Sequence, residues 1–342
     1  MMLKAIAVLL LCCGINAELP ACSSTSTGPE CDSTYGGGTF PLKAIWHGVE
    51  NYEYNFAVAW SPDGRYLARP HSKDYVTYIG IYEFVNERLW LIASHTAYDY
   101  YIDGIQFSAD GKYLAYLYDS EYVVVLELRT VDSGRAMQIS VNAIFDPKLR
   151  IQGFNFSPDG KHIALARYYH SNAHGDHTHL SVLRHDPAAE FAEDRLTEIS
   201  HEEFHFSVAN TDVECVAWSK DGNYIAAGTD QGDVVVYQWD LTENQIKPGA
   251  FASYNVAGSL HSIDFSHDGK MLVVTESSHA EVYLLSFTPM GSMGSIDVLS
   301  TNDDAPLNGK GSARFSPDDT MVAVSRDFLE VMTVPSLTIV AR

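Results

Sequence analysis

Six stretches of the chain repeat one order of apolar and polar positions: a short apolar alternating run, an aromatic residue, a serine, a turn containing aspartate, and a second apolar run. They are 58–68 (VAWSPDGRYLA), 105–115 (IQFSADGKYLA), 154–164 (FNFSPDGKHIA), 216–226 (VAWSKDGNYIA), 263–273 (IDFSHDGKMLV) and 313–323 (ARFSPDDTMVA). Serine and aspartate can bond nearby backbone amides and glycine accepts positive φ, so each stretch predicts two antiparallel strands joined by a tight turn. The anchor aromatics Trp60, Phe107, Phe156, Trp218, Phe265 and Phe315 are spaced by 47, 49, 62, 47 and 50 residues. Three positions before each anchor the residue is small: Ala57, Gly104, Gly153, Cys215, Ser262 and Ser312. Inner strands converging on a central channel would impose such a limit. A third run of β-branched and aromatic residues follows each hairpin, clearest in 233–240 (DVVVYQWD), 75–83, 122–127 and 281–285, and then a more variable fourth, as in 88–94 and 337–342. Four strands per period of about 47 residues is the unit of a propeller blade, and the three-and-four spacing of a helical solenoid is missing.

These residues resemble the WD-repeat (tryptophan-aspartate repeat) β-propellers, over nearly all of 39–342. The best match is 228–241 (GTDQGDVVVYQWDL), which ends its third strand in Trp239-Asp240; elsewhere the pair is replaced by Tyr82-Glu83 and Leu126-Glu127. The resemblance implies an all-β fold, a β-propeller of four-stranded antiparallel blades, and a role in binding rather than catalysis. Six blades are recognisable. A seven-blade ring with one blade missing or incomplete is the alternative, because a strand-like run at 39–47 (TFPLKAIWH) precedes the first hairpin.

Composition adds a compartment. Lys4, the apolar run Ala5 to Leu11 and the small residue Ala17 form the pattern of a secretory leader over 1–17, too short to span a bilayer. A lipoprotein acylated at Cys12 or Cys13 is the weaker alternative. The expected organisation is leader 1–17, a Ser/Thr/Gly-rich linker 18–38, and the propeller 39–342, in a secreted protein that is extracellular, or periplasmic in a bacterium. In an oxidising compartment Cys22 and Cys31 could close a short disulfide loop, whereas Cys215 falls in a predicted inner strand as a buried thiol. With 22 basic against 44 acidic residues the net charge is −22, which argues against nucleic acid and anionic membrane surfaces as partners. A protein partner is expected, a basic one most readily, although such a charge also simply maintains solubility.

Three groups of residues carry candidate chemistry. The first is an aromatic rim: 13 of the 20 tyrosines lie between Tyr52 and Tyr122. Tyr52, Glu53, Tyr54, Tyr98, Asp99, Tyr100 and Tyr101 sit in the loops entering the first two blades, where exposed tyrosines suit a protein or ligand contact. The second is the set of positions four before each anchor, Phe56, Asp103, Gln152, Glu214, His261 and Gly311. Asp103, Gln152, Glu214 and His261 are expected to line the channel. A propeller enzyme of the hydrolase or quinoprotein-dehydrogenase kind would gather its groups at that mouth, but no nucleophile-base arrangement is visible. The third is the histidine-rich insertion of blade three, His170, His174, Asp176, His177 and His179, which could hold zinc or copper through neutral imidazoles; no other cofactor is expected. A further motif, His201-Glu-Glu-Phe-His205, spells the zinc-protease HExxH. In a strand its histidines would lie ~13 Å apart and could not share a metal. The sequon Asn155-Phe-Ser157 lies in an inner strand, where glycosylation is not expected.

Overall fold

The computed structural model describes residues 58–73, 76–85, 88–97, 102–131, 136–146, 150–169, 177–203, 211–277, 281–303, 311–325 and 329–341. They form six antiparallel sheets, each taking up its strands in chain order from inner to outer edge. The first blade holds β1 (Ala59–Trp60), β2 (Tyr66–Lys73), β3 (Val76–Val85) and β4 (Arg88–Thr96). The second holds β5 (Ile102–Phe107), β6 (Tyr113–Tyr118), β7 (Tyr122–Val131) and β8 (Ala136–Phe145). The third holds β9 (Arg150–Phe156), β10 (His162–Tyr169), β11 (His177–His185) and β12 (Leu196–Glu203). In the fourth, β13 (Val213–Trp218), β14 (Tyr224–Thr229) and β15 (Asp233–Asp240) are flanked by two short strands, β16 (Gln245–Ile246) and β17 (Ala252–Asn255), both paired with β15. The fifth comprises β18 (Leu260–Phe265), β19 (Met271–Glu276), β20 (Val282–Met290) and β21 (Met293–Asn302); the sixth, β22 (Ser312–Phe315), β23 (Met321–Ser325), β24 (Leu329–Thr333) and β25 (Ile339–Ala341). The protein is thus an all-β, six-bladed propeller, and the described residues hold no seventh sheet.

The core explains why second and third strands read as unbroken apolar runs. Buried side chains fall into five clusters, one at each junction from the first blade to the sixth. Alternation along a strand sends successive residues into different clusters: Leu114 and Tyr116 pack toward blade one, Ala115 and Leu117 toward blade three. A strand covered on both faces needs apolar residues at every position. Leu67 of blade one and Val331 of blade six, on the faces turned away from blades two and five, are also buried, at 0% and 2% exposure.

Two sequence expectations resolve here. His201 and Glu202 lie in β12, so the HExxH segment is extended up to Glu203 and offers no helical face for a metal. The small residue before each anchor is set less by the channel than by the next blade: a Cβ on Gly104 would lie 3.1 Å from the Phe154 ring, and one on Gly153 3.3 Å from the Glu214 carbonyl oxygen. The leader, the linker with Cys22 and Cys31, and the run 39–47 lie outside the described residues.

Candidate functional site

Antiparallel order gives the ring two unlike faces. One, the turn face, carries the six Ser-x-Asp turns. In every blade the serine Oγ donates to the aspartate Oδ1, from Ser61–Asp63 at 2.6 Å to Ser316–Asp318 at 2.7 Å. The same oxygen accepts the amide five residues on, as in Tyr224 N–H to Ser219 Oγ at 2.9 Å. Burial alone would raise Asp63, Asp110, Asp159, Asp221 and Asp268, but these hydrogen bonds outweigh it and hold all five below the usual carboxylate range. Asp318 is brought to about 2, chiefly by the Ser316 hydroxyl. Glycine takes positive φ in five turns; in the sixth Asp319 does so at +57°, and its carboxylate reaches blade five to accept the amides of His267 and Asp268 at 2.7 and 2.9 Å.

The opposite face bears the loops that enter inner strands and the turns between second and third strands. Here the structure gives the predicted channel positions a shared geometry. In β5, β9, β13 and β18 the pairing register slips by one residue, and the residue skipped is Asp103, Gln152, Glu214 or His261 respectively. Each is therefore the extra residue that a β-bulge inserts into its strand, a device that bends the strand. Gln152 is exposed; Glu214 and His261 are half-buried.

Around these bulges carboxylates accumulate. The β6–β7 turn exposes Asp119 and Glu121, and the tyrosines that flank it in sequence, Tyr118 and Tyr122, stack at 4.7 Å and 11°. Asp146 most of all, with burial, Glu121 and Asp119 following, raises the Tyr122 hydroxyl pKa, so these charges share one local field. In blade four the amide of Asp212 donates to Asp230 Oδ1 at 2.8 Å, and Asn255 ties Asp233 to the Gln231 carbonyl. In blade five Glu276 is 1% exposed against Gly258, whose φ of +85° and lack of a Cβ permit the approach. Among described basic residues, Lys73 and Arg150 stand at strand ends on this face, whereas Arg65, Lys112, Arg129, Lys161, Lys220 and Lys270 lie in or beside connections of the turn face. Several pair there, as Arg65 with Glu83 at 2.7 Å and Lys112 with Asp110 at 3.2 Å.

A third feature was not read from sequence. The residue just before the anchor reaches the next blade's anchor amide: Gln106 accepts from Phe156 N–H at 3.0 Å, Asn155 from Trp218 at 2.9 Å and Asp264 from Phe315 at 3.1 Å. Asn155 thereby commits its side-chain oxygen to an internal bond.

The remaining candidates divide by position. Tyr52, Glu53, Tyr54, Tyr98, Asp99, Tyr100 and Tyr101 lie outside the described residues, as do His170, His174 and Asp176. His177 and His179 stand on β11, with backbones opposite Tyr169 and Arg167. Among the described residues no three His, Cys, Asp or Glu side chains converge as a metal site. Cys215 is buried, and that burial pushes its thiol up to about 12, far from a reactive thiolate.

Comparison with known proteins agrees with this geometry. The family model described as WD domain, G-beta repeat matches residues 202–238, which end within β15. No curated sequence matches the chain. Among solved structures, Sqt1 of Chaetomium thermophilum bound to the N-terminus of the ribosomal protein L10 aligns with a TM-score of 0.57 at 16% identity, covering 84% of this chain and 73% of its own. The Cps50 (Swd1) β-propeller domain of Myceliophteria thermophila aligns at 0.61 and 13% identity, covering 85% and 86%. A protein from Lactobacillus plantarum aligns at 0.63 and 13%, covering 81% and 80%. At such identities the likeness is one of fold. Six sheets in ring order with a Ser-x-Asp turn in each make the chain a six-bladed β-propeller, of which residues 202–238 are similar to a WD repeat.

Proposed function

We propose that this propeller is an exported, non-catalytic binding platform whose carboxylate-rich bulge face takes a basic segment of a partner protein. The observation that carries this reading is the unequal sorting of charge. Asp119, Glu121, Asp146, Asp230, Asp233 and Glu281 stand on or beside one face, where Lys73 and Arg150 lie at strand ends, while the other face mixes both signs more evenly. Charge needed only for solubility would have no reason to choose a side. The stacked Tyr118 and Tyr122 supply flat apolar area among those charges, and Lys and Arg side chains are attracted to aromatic faces as well as to carboxylates. Tyr52, Tyr54, Tyr98, Tyr100 and Tyr101 would extend that contact. A neighbouring propeller, Sqt1, is known bound to the terminus of another protein, which supports a peptide-sized ligand. Export rests on the apolar run Ala5 to Leu11 ahead of Ala17.

Fluorescence anisotropy with Lys/Arg-rich and Glu-rich peptides of matched length tests the reading. The basic peptide should bind and should weaken at least tenfold between 50 and 300 mM salt. A triple variant of exposed groups, Asp119→Asn, Glu121→Gln and Asp146→Asn, should lose most of that binding. Neutralising Glu190, Glu193 and Asp194 on the opposite face should not. Equal binding of both peptides, or equal loss from both variants, would refute the assignment. Amino-terminal sequencing of material from the secreted fraction should begin near Glu18.

A further inference from the structure

Three junctions between neighbouring blades contain a histidine drawn out of water. Between blades one and two, His95 of β4 lies 6.3 Å from the Tyr116 ring, and its Nε2 is buried with no hydrogen-bond partner among the described residues. Between blades two and three, His185 of β11 is 4% exposed; its Nε2 meets Asn142 Oδ1 of β8 at 3.0 Å and its ring meets Tyr113 edge-on at 4.6 Å. Between blades three and four, His162 of β10 is 7% exposed against Trp218 and Trp239, at 6.2 and 5.3 Å. At the fourth junction Tyr224, Phe251, Phe265 and Phe287 meet, and the half-buried His261 stands on β18, the inner strand of blade five. The fifth has an exposed His267 Nδ1 at 3.2 Å from Asp319 Oδ1.

We propose that the ring is built to loosen under mild acid at its first three junctions, through His95, His185 and His162, while blades four to six stay packed. The groups facing each imidazole support this. At His95 burial lowers the pKa, with no charged group among the described residues to offset it. At His162 burial and the cations Lys161 and Arg184 oppose protonation, and Asp159, 3.7 Å away, offsets part of this. At His185 burial again dominates over the Gly160 carbonyl, Asp186 and Asp110; Arg195 lies close by, bonded to the Asn142 carbonyl. All three pKa values are therefore lowered in the fold, so the unfolded chain binds more protons. Their stabilisation is complete above the unfolded value of ~6.5 and is lost as pH falls below it. Whole-molecule charge acts in reverse, because protonation reduces a net charge of −22 and relieves repulsion throughout.

Hydrogen exchange of the intact protein at pH 7.5 and 5.5, corrected for intrinsic rate, decides the matter. Amides of β5–β14 should lose protection at pH 5.5, by up to about tenfold for each histidine that governs their junction. Amides of β20–β25, away from His261, should change little. The variant His95→Leu, His162→Phe, His185→Gln should lose that regional pH dependence. Protection that changes equally in all six blades, or a triple variant with the wild-type response, would overturn the proposal. Should the variant fail to fold, the regional pattern of the wild-type protein still gives the answer.

Discussion

At the scale of single residues, the ring is tied together by acceptors that no consensus announces. Asn155 accepts the Trp218 amide across the third junction at 2.9 Å. Inner strands are sheet edges with unpaired amides, and these side chains cap them. Asn155→Leu should therefore cost about 1–3 kcal/mol, the usual penalty of stranding a donor. Asn155→Asp, which keeps the accepting oxygen, should lie near wild type; urea midpoints at pH 7 distinguish the two. The position was illegible in sequence because its occupants are Ala59, Gln106, Asn155, Ala217, Asp264 and Arg314. Geometry there asks only for an acceptor of suitable reach, and only in some blades. Gly104 was legible for the opposite reason, since a neighbouring ring at 3.1 Å from its missing Cβ restricts size, and a size limit leaves a pattern.

At the scale of elements, the Ser-x-Asp turn was read correctly because its chemistry is local. Ser219 is 1% exposed and serves Asp221 and the Tyr224 amide at once. Ser219→Ala should cost about 1–3 kcal/mol, and Ser219→Thr should recover part of it, as thermal unfolding would show. The turn aspartates also fix an acid limit. Their folded pKa values are lowered, so their contribution is present above the unfolded value near 4 and disappears as pH falls through the lower folded values. Acid unfolding monitored at 280 nm should show a cooperative loss below about pH 4, apart from any effect of histidine nearer pH 6. The bulges were only half legible. Asp103, Gln152, Glu214 and His261 stood out as a polar series, but a slipped register leaves the spelling of a strand unchanged, so it is visible only through the partner strand. The split outer edge of blade four was missed for a similar reason: β16 and β17 are separated by a Pro248-Gly249 turn that reads as loop.

At the scale of the molecule, a periodic chain discloses its architecture readily, because one blade's chemistry must recur wherever a blade recurs. Charge does not disclose itself in that way. The excess of acid was evident from composition, yet which acids share a face with few cations depends on which connections share that face, a property of the closed ring. This sorting has a cost that can be measured apart from any ligand. Asp119, Glu121 and Asp146 jointly raise Tyr122, so they are near enough to repel one another. Screening falls from a reach of ~30 Å at 0.01 M salt to ~3 Å at 1 M. Raising sodium chloride across that range should therefore stabilise the protein, with about 2–4 °C in melting temperature for each kcal/mol of repulsion removed. The variant Asp119→Asn, Glu121→Gln, Asp146→Asn should melt higher at low salt and gain less from added salt. Three neutralised acids on the turn face, where cations already pair with carboxylates, should leave the salt response as it was. If both variants lose the same share of the salt response, the repulsion belongs to net charge alone, and the two faces do not differ in the way the carboxylate positions require.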